Sequence, residues 1–377
     1  MALSDSELER YSRHLLLGEV GRAGQERLRA ARVLVVGAGG LGSPAALYLA
    51  ASGIGTLGIL DGDHVELSNL QRQVLFSTAD VAQPKAVVAG RRLGALNPEI
   101  TVVVHAVELR AANVLDVLGR YDVIVDGTDR VGTRYLVNDA CVLLGKALVS
   151  AAIHRFEGQA MTYVPGAGPC YRCLFPDATA AAVASCAEAG VLGVLPGVLG
   201  AIQATEAIKL VLGRGEPLNG RLLTYDALEL RFEEFPFTRR ADCAVCGDAP
   251  SITVPRDSEP VATQESGEFR RLSARALEAL IAGAGQGGAA VRLVDVREPA
   301  EFAAGHLAGA VSIPLAAIEG VDWQADGQRA TVFVCRGGSR SARACAIARR
   351  RGLHDPAHLE GGLLAWAAAI DPTLPVA

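Results

Sequence analysis

The 377-residue chain has no long run of Lys or Arg, and 41 acidic residues outnumber 36 basic ones for a net charge of −5. A nucleic-acid partner would need clustered positive charge, so none is expected. Long apolar runs are also missing. The longest, Ala189 to Ile202, covers about 14 residues and is broken by Pro196 and several glycines, short of a bilayer span. No membrane partner is expected. The opening MALSDSELERYSR lacks the apolar core of a signal peptide, which makes a cytoplasmic location the expectation. No repeat and no low-complexity tract beyond alanine bias is present. Without an export signal, the eight cysteines read as metal ligands or reactive thiols rather than disulfides.

What is present suits a globular protein. Half the residues are apolar and a fifth are charged, and the length calls for two or three domains. Five apolar strands, RVLVVG, TLGILDGD, TVVVHAV, YDVIVDGTD and ALVSAAI, alternate with helical stretches that end at Gly or Asn-Pro. This is the pattern of an α/β, Rossmann-like doubly wound sheet, with its ligand outside the strand carboxyl ends. After Cys246, GDAPSITVPRDSEPVATQESGE has no apolar period and reads as a linker. A smaller α/β pattern follows. The expected boundaries are 1–247, a linker over 248–268, and 269–377.

RVLVVGAGGLGSPAA places Gly37-x-Gly39-x-x-Gly42 between the first strand and a helix, with Asp61 about 20 residues on, as in a dinucleotide site. The loop alone cannot choose between NAD and ATP, since both set phosphate against backbone N–H groups at a helix start. The surroundings decide. Asn69, Gln71 and Arg72 follow the second strand, Lys85 lies in QPKA, and Asp129 ends the fourth strand. Either cation alone would be an ordinary surface charge. Two cations and a carboxylate at one phosphate loop suit ATP with Mg²⁺.

In order, RYSRH, GAGGLGSPAALYLA, LSNLQRQ, QPKA, GTD and CYRC over about Leu8 to Gly247 resemble the adenylyltransferases of ubiquitin-like sulfur carriers, relatives of ubiquitin-activating enzymes. The resemblance implies an adenylation domain. Gly40 and its neighbours would hold phosphates and Asp61 the ribose. Asn69, Arg72 and Lys85 would hold the triphosphate, with Ser68, Leu70 and Gln71 beside them in the same segment. Asp129 would bind Mg²⁺. Arg13 would enter the neighbouring subunit's site, which implies a homodimer. One position departs: Arg130 stands where such enzymes carry Asn, and a guanidinium cannot copy an amide's contacts, so its role in the ATP site stays open.

Cys170-x-x-Cys173 and Cys243-x-x-Cys246 form two knuckles suited to one tetrahedral, closed Zn²⁺ site per chain; a redox CxxC is the alternative for either pair alone. Cys186 stands apart before an expected helix. In some relatives the matching cysteine links covalently to the carrier, and the plain alternative is a small buried residue. Cys141 and Cys345 read as core.

Cys335 ends the apolar strand VFVC, and Arg336, Gly337, Gly338, Ser339 and Arg340 form a loop feeding a helix. Loop N–H groups, the helix dipole and both arginines should hold a thiolate or persulfide. With LVDVREPAEFAAGHLAGAVSIPL and EGGLLAW, this half resembles the rhodanese sulfurtransferase domain. Related phosphatases place arginine six positions after the cysteine; here that position is Ser341, which favours sulfur over phosphate. Asp295, Arg297 and Glu298 read as scaffold.

Together the halves imply ATP-dependent adenylation of a carrier's C-terminal Gly-Gly carboxylate, then sulfur transfer from a Cys335 persulfide. The carrier is expected to be the molybdopterin synthase small subunit; a thiamine, cysteine-biosynthesis or tRNA-thiolation carrier is the alternative. The sulfur donor would be a cysteine desulfurase or thiosulfate. An NAD-dependent oxidoreductase would leave Arg72, Lys85, the zinc knuckles and the second half unused. A non-catalytic scaffold would be expected to lose the intact CRGGSRS loop.

Overall fold

A computed structural model describes residues 3–176, 190–257, 269–284, 291–323 and 330–376. They fall in two compact units, Met1–Val261 and Ala262–Ala377.

The first unit is built on one sheet. Its strands are β1 (Arg32–Val36), β2 (Thr56–Leu60), β3 (Thr101–His105), β4 (Val123–Asp126), β5 (Ala147–His154), β6 (Glu157–Tyr163), β7 (Arg221–Asp226) and β8 (Arg231–Pro236), in the order β3-β2-β1-β4-β5-β6-β7-β8. From β3 to β5 the pairing is parallel, as the five apolar runs predict. Helices cover both faces, and so β1 and β4 can be apolar on every turn of the pleat. The sheet then continues antiparallel through β6, β7 and β8, which the sequence pattern did not reveal. All six residues of β8, RFEEFP, are exposed, so it carries none of the apolar alternation that marks a strand facing a core.

Pro196, expected to break an apolar run, instead sits in the first turn of the helix Leu195–Leu212, where a missing N–H costs nothing. This helix is long and apolar enough to cross a membrane, as a core helix also can be, and half of that window is buried in this structure. It packs on the helix Gly42–Ala51 and on β4 to β6. Its buried Glu206 accepts from Thr162 Oγ1 at 2.7 Å and Leu218 N at 2.6 Å, which ties the helix to the antiparallel strands. Part of the expected linker also lies on this unit. Ser251 and Ile252 donate to Ala244 O, and Asp257 accepts from Ala111 N at 2.7 Å. Residues 258–268 lie outside the described ones.

The second unit has five parallel strands, β9 (Arg270–Leu272), β10 (Val291–Asp295), β11 (Val311–Ser312), β12 (Ala330–Val334) and β13 (Ala357–Leu359), ordered β11-β10-β12-β13-β9. Arg297 and Asp295 are both fully buried and paired at 2.9 Å, and Arg297 also donates to Gly305 O. Their role is scaffolding, because removing one partner strands a charge in the interior. Asp295→Ala should destabilise this unit by about 3–5 kcal/mol. Both tryptophans, Trp323 and Trp366, lie here, so fluorescence-monitored denaturation reports this unit alone. An unchanged midpoint would contradict the assignment.

Candidate functional site

At the carboxyl ends of β1, β2 and β4 the first unit holds a cavity of about 740 Å³. Its floor is the glycine loop. Gly37 has φ +87°, and a Cβ on Gly42 would lie 1.7 Å from Gly37 O, so neither position accepts a side chain. The turn stays tight enough to bring backbone N–H groups and the helix Gly42–Ala51 to a phosphate. Asp61 braces the loop: one carboxylate oxygen accepts from Ala38 N and the other from Asp63 N, both at 2.8 Å. Burial pushes the Asp61 carboxyl above its usual range, against the pull of Lys85 and these N–H groups.

Cations converge on the same space. Lys85 opens the helix Lys85–Leu96, is buried, and sets Nζ 3.5 Å from Asp63. Arg72 lines the wall and donates to Ser68 O at 3.1 Å. Arg130 reaches Glu108 at 3.3 Å and Asp63 at 3.8 Å, so it stands among acids in the cavity lining. Strand β4 ends at Asp126, three residues before Asp129. The buried Asp126 carboxylate accepts from Thr128 N, Thr128 Oγ1 and Ser150 Oγ, and it fixes the turn that projects Asp129 into the cavity. Arg134, unnoticed in the sequence, donates to Thr128 O at 2.9 Å beneath that turn.

The cavity runs on past this charged end. Tyr171, Phe175, Glu157, Thr224, Arg231 and Phe235 line its far part, chiefly from the antiparallel strands. No local signal marks them, because they meet only through the sheet's topology.

The four knuckle cysteines close together. Cys170 and Cys243 Sγ are 3.7 Å apart and Cys173 and Cys246 Sγ 3.3 Å apart, all within 4.8 Å of one another. A tetrahedral ion with metal–sulfur bonds of about 2.3 Å needs sulfur–sulfur edges of about 3.8 Å, so the residues fit such an ion. Burial pushes the Cys246 thiol up to about 12, a cost that a bound cation would reverse. Cys141 and Cys345 are fully buried core thiols raised by that burial.

In the second unit Cys335 follows β12 and is buried. Its Sγ accepts from Gly338 N at 3.1 Å and Ser341 N at 3.3 Å at the start of the helix Ser339–Arg350. Gly338, at φ +96°, makes the turn. Backbone amides therefore meet the sulfur. Arg340, expected beside it, forms a bidentate pair with Glu301 at 2.7 and 2.8 Å, because its helical position directs it across the loop. The Gly361-Gly362 pair of EGGLLAW has a packing reason: a Cβ on Gly362 would lie 2.3 Å from Cys335 O.

Residues 11–245 match the ThiF family, and residues 274–369 match the rhodanese-like domain. The chain belongs to the ThiF family. It is 43% identical to the "probable adenylyltransferase/sulfurtransferase MoeZ" of Mycobacterium tuberculosis over 99% of this chain and 96% of that one. The "sulfur carrier protein adenylyltransferase" of Thermus thermophilus is 53% identical over 67% of this chain and 95% of its own. The "adenylyltransferase and sulfurtransferase MOCS3" of Sus scrofa is 42% identical over 99% and 88%. Among solved structures, E. coli MccB with ATP superposes with a TM-score of 0.56 at 28% identity, covering 65% of this chain and 75% of that one. The chain is thus an enzyme of the adenylyltransferase class with a sulfurtransferase domain.

Of the residues singled out in the sequence, Gly40, Asp61, Arg72, Lys85, Asp129 and Arg130 share the cavity. Ser68 and Asn69 belong to a short helical turn beside it, with Leu70 and Gln71 following; this turn supports Arg72. Arg13 is exposed on the helix Ser12–Leu15, apart from the cavity of its own chain. Cys186 lies outside the described residues.

Proposed function

We propose that the first unit adenylates the C-terminal Gly-Gly carboxylate of a ubiquitin-like sulfur carrier, the molybdopterin synthase small subunit, and that Cys335 supplies the sulfur. One observation carries this: Arg72, Lys85 and Asp129 line the same cavity of about 740 Å³ as the glycine loop. The carrier carboxylate attacks the α-phosphorus, the bond to the β-phosphate oxygen breaks, and pyrophosphate leaves. No side chain need act as nucleophile, so positioning and charge compensation supply the rate. Lys85 and Arg72 meet the charge that builds on the phosphates. Asp129 would hold Mg²⁺, which would neutralise phosphate charge there. The carrier's peptide tail would lie along the part of the cavity lined by Tyr171, Phe175 and the antiparallel strands.

Sulfur from thiosulfate or a cysteine desulfurase would reach Cys335 as a persulfide. Its terminal sulfur attacks the acyl carbon and AMP leaves. A second thiol then attacks Cys335 Sγ, the sulfur–sulfur bond breaks, the thiocarboxylate leaves, and a further thiol reductant clears the mixed disulfide on Cys335. Residues 258–268 would tether the two units and raise the effective sulfur concentration. In a homodimer Arg13 would complete the neighbouring subunit's site. Cys186 would offer the acyl group a covalent stop.

Carrier choice is tested by exchange of labelled pyrophosphate into ATP with each candidate carrier. The molybdopterin synthase subunit should give the fastest exchange; a thiamine, cysteine or tRNA-thiolation carrier exceeding it would reassign the pathway. At the four cysteines the ion would be Zn²⁺, with all four sites filled by protein and hence structural. Metal analysis should find about one zinc per chain, lost in Cys243→Ser together with thermal stability. Folded, metal-free protein would refute it.

A further inference from the structure

His358 is a buried titratable group that the chemistry above does not use. It lies on β13, where it pairs in register with Phe333 of β12 and Arg271 of β9, below the start of the helix that carries Ser341. Phe269 packs edge-on against its ring at 5.5 Å. The charged groups that face it are Arg271 and Glu360. Burial holds the imidazole below its ordinary range, which favours the neutral form, against the pull of Glu360 and of a hydrogen bond to the Gly338 backbone. A neutral ring can accept a proton.

Three polar groups stand in line here. The Ser341 hydroxyl is 3.4 Å from Cys335 Sγ on one side and 3.4 Å from His358 Nδ1 on the other. Ser341 is fully buried and its hydroxyl donates to Gly338 O at 2.9 Å, within the same loop. A hydroxyl rotates freely between acceptors, so the same oxygen can take a hydrogen bond from the thiol and give one to the imidazole. We propose that His358, acting through the Ser341 hydroxyl, is a positioning residue for the sulfur of Cys335. As Cys335 is loaded, the Sγ–H bond breaks, its proton passes to Ser341 Oγ, and the serine proton moves to His358 Nδ1. With thiosulfate, Sγ then bonds to the sulfane sulfur while the sulfur–sulfur bond of thiosulfate breaks and sulfite leaves. Afterwards the Ser341 hydroxyl donates to the sulfur anion beside the Gly338 and Ser341 amides, and His358 releases its proton to return to the neutral form that burial favours.

The inference rests on Cys335 as the sulfur acceptor, and the experiment separates the two. Full-length protein is assayed for thiosulfate sulfurtransfer to cyanide, and for iodoacetamide alkylation of Cys335 at pH 7 by peptide mass spectrometry. His358→Phe and Ser341→Ala should each lower kcat and the alkylation rate at least tenfold, with KM for thiosulfate within twofold. The double variant should be no worse than the poorer single one, since both break one chain of contacts. Ser341→Thr, which keeps the hydroxyl, should restore most of the rate. If His358→Phe fails to fold, Ser341→Ala and Ser341→Thr test the same link. Alkylation and turnover within twofold of wild type in Ser341→Ala, or losses that multiply in the double variant, would overturn it. Sulfurtransfer surviving in Cys335→Ala would instead overturn the assignment of Cys335.

Discussion

Lys85→Ala is expected to lower carrier-dependent exchange of pyrophosphate into ATP by roughly a hundred- to thousandfold, the range found when one preorganised charge-stabilising group is removed. The argument is geometric. Lys85 is buried, its ammonium faces the glycine loop's cavity, and its ion-pair partner, Asp63, is itself an exposed rim acid. Such a charge is held in place before substrate arrives, and it costs little to reorganise as negative charge grows on the phosphates. Asp129→Ala should give a similar loss, since no other described carboxylate is projected into the cavity by the Asp126 turn. Both variants should keep the wild-type melting temperature, because neither side chain belongs to the core clusters. Near-normal exchange in either would remove the assignment of this cavity to ATP.

Cys335→Ala carries the second large effect. Exchange should proceed at the wild-type rate, while thiocarboxylate formation falls below detection. Adenylation needs only the first unit's cavity, and Cys335 belongs to the second unit's own core. Alanine removes the only sulfur that the Gly338 and Ser341 amides meet among the described residues. A mass spectrum of the carrier and an exchange assay on the same preparation check both halves. Loss of exchange as well would mean that the two steps are not separable.

The sequence disclosed these features unevenly, for physical reasons. Strands β1, β2, β4 and β5 were legible because burial forces continuous apolar runs, and β3 by its apolar TVVVH run although it is a sheet edge with no buried residue. The glycine loop was legible because only glycine fits at Gly37 and Gly42. The cysteine pairs were legible from ligand spacing. β6 to β8 were not: β8 is exposed throughout, and the far cavity wall assembles residues distant in the chain. Arg340 shows the limit of spacing arguments. Its place in the loop suggested a sulfur contact, whereas the helix turns it toward Glu301, whose partnership nothing nearby in the sequence announces. Ser341 was marked only by its spacing from Cys335, and its approach to His358 escaped notice, since parallel pairing of β12 with β13 places His358 near the loop. Ile252, inside an apparent linker, is claimed by packing against the first unit.

The central claim is that an acyl-adenylate made in the first unit's cavity accepts sulfur carried on Cys335. It is tested most directly by incubating the full-length chain with the molybdopterin synthase small subunit, MgATP, thiosulfate and a thiol reductant, then weighing the carrier. The account predicts one oxygen replaced by sulfur at the carrier's C-terminus, only when ATP and Cys335 are both present. Sulfur incorporation without ATP, or a carrier left unchanged while the enzyme exchanges pyrophosphate and holds a Cys335 persulfide, would contradict it.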